Sequence, residues 1–217
     1  MDNEKNLQRI QTAALFISTT QEMLNEMSMD EISIRKIAER AGYHNSTIYL
    51  HFKDLDELLM LASMIHFNDY SQALEELSNN LHSPLDTFIS IWDLFTESIY
   101  QQPEIFYNFF FGKRSNDLRK IMTTYYTVFP KERKKFSTEI ESMYYGNNIH
   151  ERSLRILRLL LQEDTAVTED NLDMINDIIV SCCKSKLEMK CRQKELDSDK
   201  LKQDFKEILF YVCGINI

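Results

Sequence analysis

Residues 29–59, MDEISIRKIAERAGYHNSTIYLHFKDLDELL, decide the fold. By helix rules they spell two short helices joined by a tight turn, followed by the start of a third. Ser33 suits an N-cap, since its hydroxyl can accept from a free first-turn N–H. Ile34, Ile37, Ala38 and Ala41 recur at i, i+3, i+4 and i+7, giving one apolar face. Gly42 ends that helix, because the residue after a helix often takes the left-handed conformation that glycine adopts cheaply. His44 or Asn45 then caps a second helix expected to run to Phe52, with Ile48 and Phe52 on its inner face. A helix of about eight residues does not hold together alone in water. Its neighbours must fix it, which directs attention to its outer face.

That face carries Tyr43, Ser46, Thr47, Tyr49 and Leu50, with Asn45 and His51 at the flanks. A solvated face would show Lys and Glu. Short polar groups and one leucine are instead what base edges in a major groove require: Asn can bond adenine, Ser or Thr any base, and Leu50 a thymine methyl. The competing reading is a small hairpin packed inside a larger all-α protein.

Working outward, the 217 residues are 43% hydrophobic, enough for a substantial core in one large or two small domains. Only 4 Gly and 3 Pro, with abundant Leu, Ile, Met, Glu and Lys, point to an all-α chain. The net charge of −9 is unlike the basic balance common in nucleic-acid binders. Residues 1–53 nevertheless hold six Lys/Arg against seven Asp/Glu, and Tyr43 to Lys53 contains no acid. A local acid-free face can meet phosphates while the remainder repels DNA.

Residues 4–27 read as a first helix, with Ile10, Ala13, Ala14, Ile17, Leu24 and Met27 as its inner stripe. Asp54 and Glu57 form an acidic capping box opening a helix that could reach Asn80, about 40 Å long and the only link from the reading head to the rest. A break near 79–84 precedes helix 84–101, with Pro84 in its first turn. Further helices are expected at 116–129, 131–145, 149–162, 169–194 and from Asp197 or Asp199 to Cys213. Residues 84–145 are rich in aromatics, which line pockets for small apolar molecules or simply fill cores. Arg152, Arg155 and Arg158 read as a solvated or ion-paired face, with anion binding the minority reading. Leu172, Ile175, Ile179, Cys183 and Leu187 stripe one C-terminal helix; Leu201, Phe205, Ile208, Leu209 and Val212 stripe the other. Phe210 and Tyr211 make the last helix end apolar nearly all round, so either its own domain or a twin chain must cover it.

The run SIRKIAERAG followed by NSTIYLHFKD resembles the helix-turn-helix of the tetracycline-repressor (TetR) family of bacterial transcription regulators. Ile34, Ile37, Ala38, Ala41, Gly42, Thr47, Ile48, Tyr49, Phe52, Lys53, Glu57 and Leu58 carry the likeness. Ser46, Leu55 and Ser28 depart from it, standing where glycine, a basic residue and glycine are common. The resemblance implies an all-α fold: an N-terminal three-helix helix-turn-helix DNA-binding domain, residues 1–66, joined to a larger α-helical ligand-binding and dimerisation domain, residues 67–217. It implies a repressor released from a palindromic operator by a small-molecule inducer. The alternative is a helical protein–protein interaction module without DNA binding.

Within that frame, Asn45, Ser46, Thr47 and Leu50 are expected at base edges, and Ser33, Arg35, Tyr49, His51 and Lys53 at phosphates, with Tyr43 and His44 beside them. Phe88, Trp92, Phe95, Phe106, Phe110, Met122 and Tyr126 are expected to line an inducer cavity. Leu172, Ile175, Ile179, Cys183, Phe205, Leu209 and Val212 are expected in a four-helix dimer interface. The expected partners are double-stranded operator DNA, an inducer of unknown structure and a second copy of the chain. No HExxH, GxSxG or Gly-rich phosphate loop is present, so no enzyme activity is expected. Cys182, Cys183, Cys191 and Cys213 fit no zinc spacing and read as buried, reduced thiols, with neither cofactor nor metal expected. The polar start MDNEKN and the shortness of every apolar run suggest a cytoplasmic protein without a membrane span.

Overall fold

A computed structural model describes residues 2–80 and 83–216, which contain α-helices and short 3-10 turns and no strand. The expected break at 79–84 encloses residues 81 and 82, which lie outside the described residues. The chain forms two compact units, one of residues 1–66 with 120–133, the other of residues 67–119 with 134–217.

The first unit opens with α1 (Asp2–Glu26). A 3-10 turn at Met29–Glu31 follows, where the Ser28 N–H and hydroxyl both donate to the Glu31 carboxylate, at 3.1 and 3.0 Å. In α2 (Ile34–Ala41) the Ser33 hydroxyl accepts from the Lys36 N–H, and Gly42 ends the helix at φ 74°. Next come α3 (Asn45–Ile48) and α4 (Leu55–Ser63). Asp54 accepts the Glu57 N–H at 2.9 Å, while the Glu57 carboxylate reaches back to the Lys53 N–H at 2.6 Å. Phe16, Ile17, Ile37, Ala38, Ile48 and Leu58 meet in a core closed to solvent.

The helix expected to run unbroken from 54 to 80 does not. α4 stops at Ser63, a 3-10 turn occupies Met64–Phe67, and α5 (Asn68–Ser78) follows. The change of winding falls where the chain passes from one unit to the other. Nor is this the only link, because the chain crosses again after Arg119 and after Arg133.

In the second unit Ser83 caps α6 (Pro84–Gln101), with Pro84 in the first turn as its missing N–H allows. Gln102 separates it from α7 (Pro103–Phe111). α8 (Leu118–Val128) returns to the first unit, where the Tyr125 phenol accepts from the Gln21 amide at 3.4 Å and Lys120 pairs with Glu57 at 3.3 Å. The helix expected over 131–145 is reduced to α9 (Thr138–Tyr144). Ahead of it, Lys134 donates to the Gln72 side chain at 2.7 Å and the Lys135 N–H to Glu75 at 2.8 Å, tying this stretch to α5 instead of to its own helical ladder. α10 (Ile149–Leu157) tightens into a 3-10 run at Arg158–Gln162, and α11 (Leu172–Arg192) and α12 (Ser198–Cys213) complete the unit. α10 packs on α9 and α11, and α12 on α6 and α11.

Candidate functional site

α3 is one helical turn. The His44 Nδ1 accepts the Ser46 N–H at 3.3 Å and stands 2.9 Å from the Ser46 hydroxyl, so these bonds place the ring proton on Nε2. Beyond Ile48 the chain continues as tightened turns, with the Leu50 N–H on the Thr47 carbonyl at 3.2 Å and the His51 N–H on Ile48 at 2.9 Å. The expected eight-residue helix is therefore only four residues long. So short a segment gains too few helical bonds to propagate, and tertiary anchors set its path instead.

Those anchors are Ile48 and Phe52 from within and Phe16 from α1. The Phe16 ring is fully buried, 5.2 Å from the Tyr43 ring, 6.0 Å from His51 and 6.3 Å from Phe52. Phe16 was absent from the stripe read along the first helix, in which Ile17 alone is fully enclosed while Ile10, Ala13, Ala14, Leu24 and Met27 are half-buried. Its neighbour Ile17 carries the helical spacing, but nothing in that spacing selects Phe16.

Above this base, Tyr43, His44, Asn45, Ser46, Tyr49 and Leu50 lie together and exposed, Leu50 at 71% and Tyr49 at 58%. Thr47 is half-buried between them. Arg35 and Lys53 are exposed at the margins, and Ser33 is committed to its cap. Burial and the nearby positive charge of Arg9 hold His51 below the usual imidazole range, so at neutral pH it presents a neutral ring. Arg40 is not part of this face: Glu26 and Glu22 take its guanidinium.

The seven residues expected to line a cavity do not stay together. Trp92 and Phe95 line a small cavity in the second unit. Phe110 packs 5.0 Å from Phe95, and Phe106 lies nearly parallel to Phe110, so both belong to the wall behind it. Phe88 is buried on α6 away from the lining. Met122 and Tyr126 are on α8 and fold into the first unit, apart from the other five. The arginine series also divides. Arg158 pairs with Glu169 at the surface and Arg155 with Glu151, whereas Arg152, expected on a solvated face, is 2% exposed. The signal was present: Ile149, Arg152, Ser153 and Ile156 share one face at i, i+3, i+4 and i+7, and that face points inward.

Of the residues expected in a dimer interface, Leu172, Ile175, Ile179, Cys183, Phe205 and Leu209 are buried in the chain's own core, and Val212 is half-buried. A side chain enclosed by its own unit offers no surface to a second one. The apolar groups these helices expose are Met174, Ile178 and Met189 on α11 and Tyr211 on α12, the last at 88%. All four cysteines are unbridged; burial raises each thiol, Cys213 to about 12, which leaves little reactive thiolate. Among the described residues no His, Cys, Asp and Glu cluster could hold a metal ion, and no helix is long and apolar enough to cross a membrane.

Residues 16–60, from Phe16 through the reading turn into α4, match the family described as bacterial regulatory proteins, tetR family. The match covers 45 of the chain's 217 residues. Solved structures agree in fold along nearly the whole chain. RolR, solved with the ligand resorcinol, is 18% identical at a TM-score of 0.61, over 97% of this chain and 91% of that one. FadR of Thermus thermophilus, a TetR family transcriptional repressor solved with lauroyl-CoA, is 10% identical at 0.61, over 94% and 95%. FadR of Bacillus subtilis, solved with stearoyl-CoA, is 15% identical at 0.57, over 94% and 99%. At such identities the likeness is one of fold. No curated protein sequence matches the chain.

Proposed function

We propose that this chain is a transcriptional repressor that binds a palindromic DNA operator as a homodimer and releases it when a small molecule occupies the second unit. The observation that carries the reading is the exposed, acid-free turn of α3 held from beneath by Phe16. In this reading Asn45, Ser46, Thr47 and Leu50 meet base edges, Tyr43 and His44 flank them, and Ser33, Arg35, Tyr49, His51 and Lys53 lie along the phosphates, His51 as a neutral donor. Residues 1–66 form the DNA-binding domain and 67–217 the ligand-binding and dimerisation domain.

One short reading element spans too few base pairs for useful specificity, which supports a two-fold pair with its elements about 34–36 Å apart. A second copy would meet Met174, Ile178 and Tyr211, the apolar groups that α11 and α12 expose. That structurally similar regulators were solved with resorcinol and with acyl-CoA esters supports a small-molecule site in the second unit. Its ligand acts through α5, whose Tyr70 lines the cavity and whose chain runs through the Met64–Phe67 turn into α4.

The test is selection of binding sites from a random duplex pool at low salt, followed by electrophoretic retardation. A palindromic consensus bound by the wild type and weakened by Asn45→Ala supports the regulator. Failure to retain any duplex favours a helical interaction module. Ligand and operator must weaken one another by the same factor, so ligand affinity unchanged by operator would remove the inducer from the scheme.

A further inference from the structure

Inside the second unit, three residues that carry hydrogen-bond donors, Trp92, Arg152 and Ser153, line one small cavity. Trp92 on α6 and Ser153 on α10 are 3% and 2% exposed, yet among the described residues neither the indole Nε1 nor the Ser153 hydroxyl has a hydrogen-bond partner. Arg152 lines the same space. Its guanidinium donates to the Tyr144 carbonyl and lies 5.4 Å from the centroids of the Phe110 and Tyr144 rings. Tyr70, Phe95 and Met143 make up much of the remaining wall. Burying one donor without an acceptor is costly, and interiors normally avoid it. Here two such donors belong to residues that line one cavity, beside a buried cation, and an acceptor carrying negative charge would satisfy both donors next to Arg152.

We propose that this cavity binds a small organic carboxylate with an apolar body, a specificity that rests on the ligand-responsive reading given above. The carboxylate sits between the Arg152 guanidinium, the Trp92 Nε1–H and the Ser153 hydroxyl, and the body lies against Phe95 and Met143. A phosphate is a poorer fit, since it brings more oxygens and charge than these donors satisfy and has no use for aromatic walls. The free volume is only about 10 Å³, roughly one water. The head group therefore replaces at most a water, and the body enters only as the walls part. Met143, unbranched and flexible, is the side chain suited to yield. Because Tyr70 belongs to α5, parting the walls displaces the helix that leads back to α4, and the ligand favours the widened state by its differential affinity for it.

Trp92 is the only tryptophan in the chain, so its emission reports the site directly. The full-length protein, without DNA, is titrated with benzoate and octanoate and with the neutral benzamide and octanamide. The expected result is a saturable change in emission with at least one carboxylate, at an affinity about tenfold or more above its amide, as charge-assisted hydrogen bonds allow. Ser153→Ala should weaken the carboxylate several-fold and leave the amide unchanged. Arg152→Gln should abolish the preference for the anion; if it does not fold, Ser153→Ala and Trp92→Phe, the latter followed by calorimetry, carry the test. The proposal is overturned if neither carboxylate gives a saturable response, which describes a cavity that holds water alone, or if the amides bind equally well or Ser153→Ala leaves carboxylate affinity unchanged, which describe binding without recognition of the carboxylate. The same preparation is tested for DNA retardation. Retardation without carboxylate binding overturns this assignment only; carboxylate binding without retardation keeps it and overturns the regulator.

Discussion

Phe16→Ala tests whether the reading turn is held from beneath. Phe16 is fully buried, with three ring neighbours at 5.2, 6.0 and 6.3 Å. Removing a buried phenylalanine costs about 3–5 kcal/mol through lost transfer energy and the cavity left behind. Each edge-to-face partner lost adds about 0.5–1.5 kcal/mol beyond area burial, and collapse cannot recover much because Ile37, Ile48 and Leu58 of the same unit are themselves fully enclosed. Against a domain stability of about 5–15 kcal/mol, that is a large share. Since α3 is a single turn, the loss falls first on the conformation that presents Asn45 and Leu50. If that conformation drops to about one per cent occupancy, apparent DNA affinity falls about a hundredfold. Urea unfolding followed by circular dichroism reads the stability, retardation of the selected operator reads the affinity, and Trp92 emission checks that the second unit is intact. A variant that lost less than about 1 kcal/mol and bound operator as the wild type does would refute the clamp.

Other expectations follow from the same geometry. Asn45→Ala should change which bases are preferred, by about 1–3 kcal/mol for a lost bidentate contact, whereas Lys53→Ala should weaken all sequences alike and reduce the salt slope by about one phosphate per subunit; binding-site selection and salt titration separate the two. If the chain pairs as proposed, Tyr211→Glu should yield a monomer in sedimentation while leaving the fold intact, because the residue it replaces is 88% exposed. His66 is held below its ordinary value of 6.5 by burial, its Nε2 without a partner among the described residues. The unfolded chain then binds the proton more readily, so the stability contributed by the neutral ring is full above about pH 6.5 and lost as pH falls toward the lower folded value. Urea midpoints measured across that range should fall for the wild type and fall less for His66→Phe.

The parts of this protein legible in its sequence are those governed by local chemistry. Ser33, Gly42, Asp54 and Pro84 do what their side chains dictate, because a cap or a left-handed stop involves only neighbours along the chain. The exposed face of α3 was legible because its composition departs from an ordinary solvated face. What escaped depends on distant partners. The brevity of α3 follows from anchors on α1, and the loss of helix before α9 from Gln72 and Glu75. The C-terminal stripes were found correctly as apolar, yet periodicity alone does not say whether a stripe faces its own core or a twin, and here the chain covers it. Arg152 was misplaced because charge was weighed above its position between Ile149 and Ile156.

The return of α8 to the first unit has a consequence for anyone dividing the chain. A fragment ending at residue 66 would lack Tyr125, which accepts from Gln21, and Lys120, which pairs with Glu57. The N-terminal part is thus not a detachable cassette. A chimera that grafts this reading turn onto another sensor has to transplant two separate stretches, 1–66 and 120–133, and recombination at a single point would leave each parent's core half-filled by a stranger's side chains.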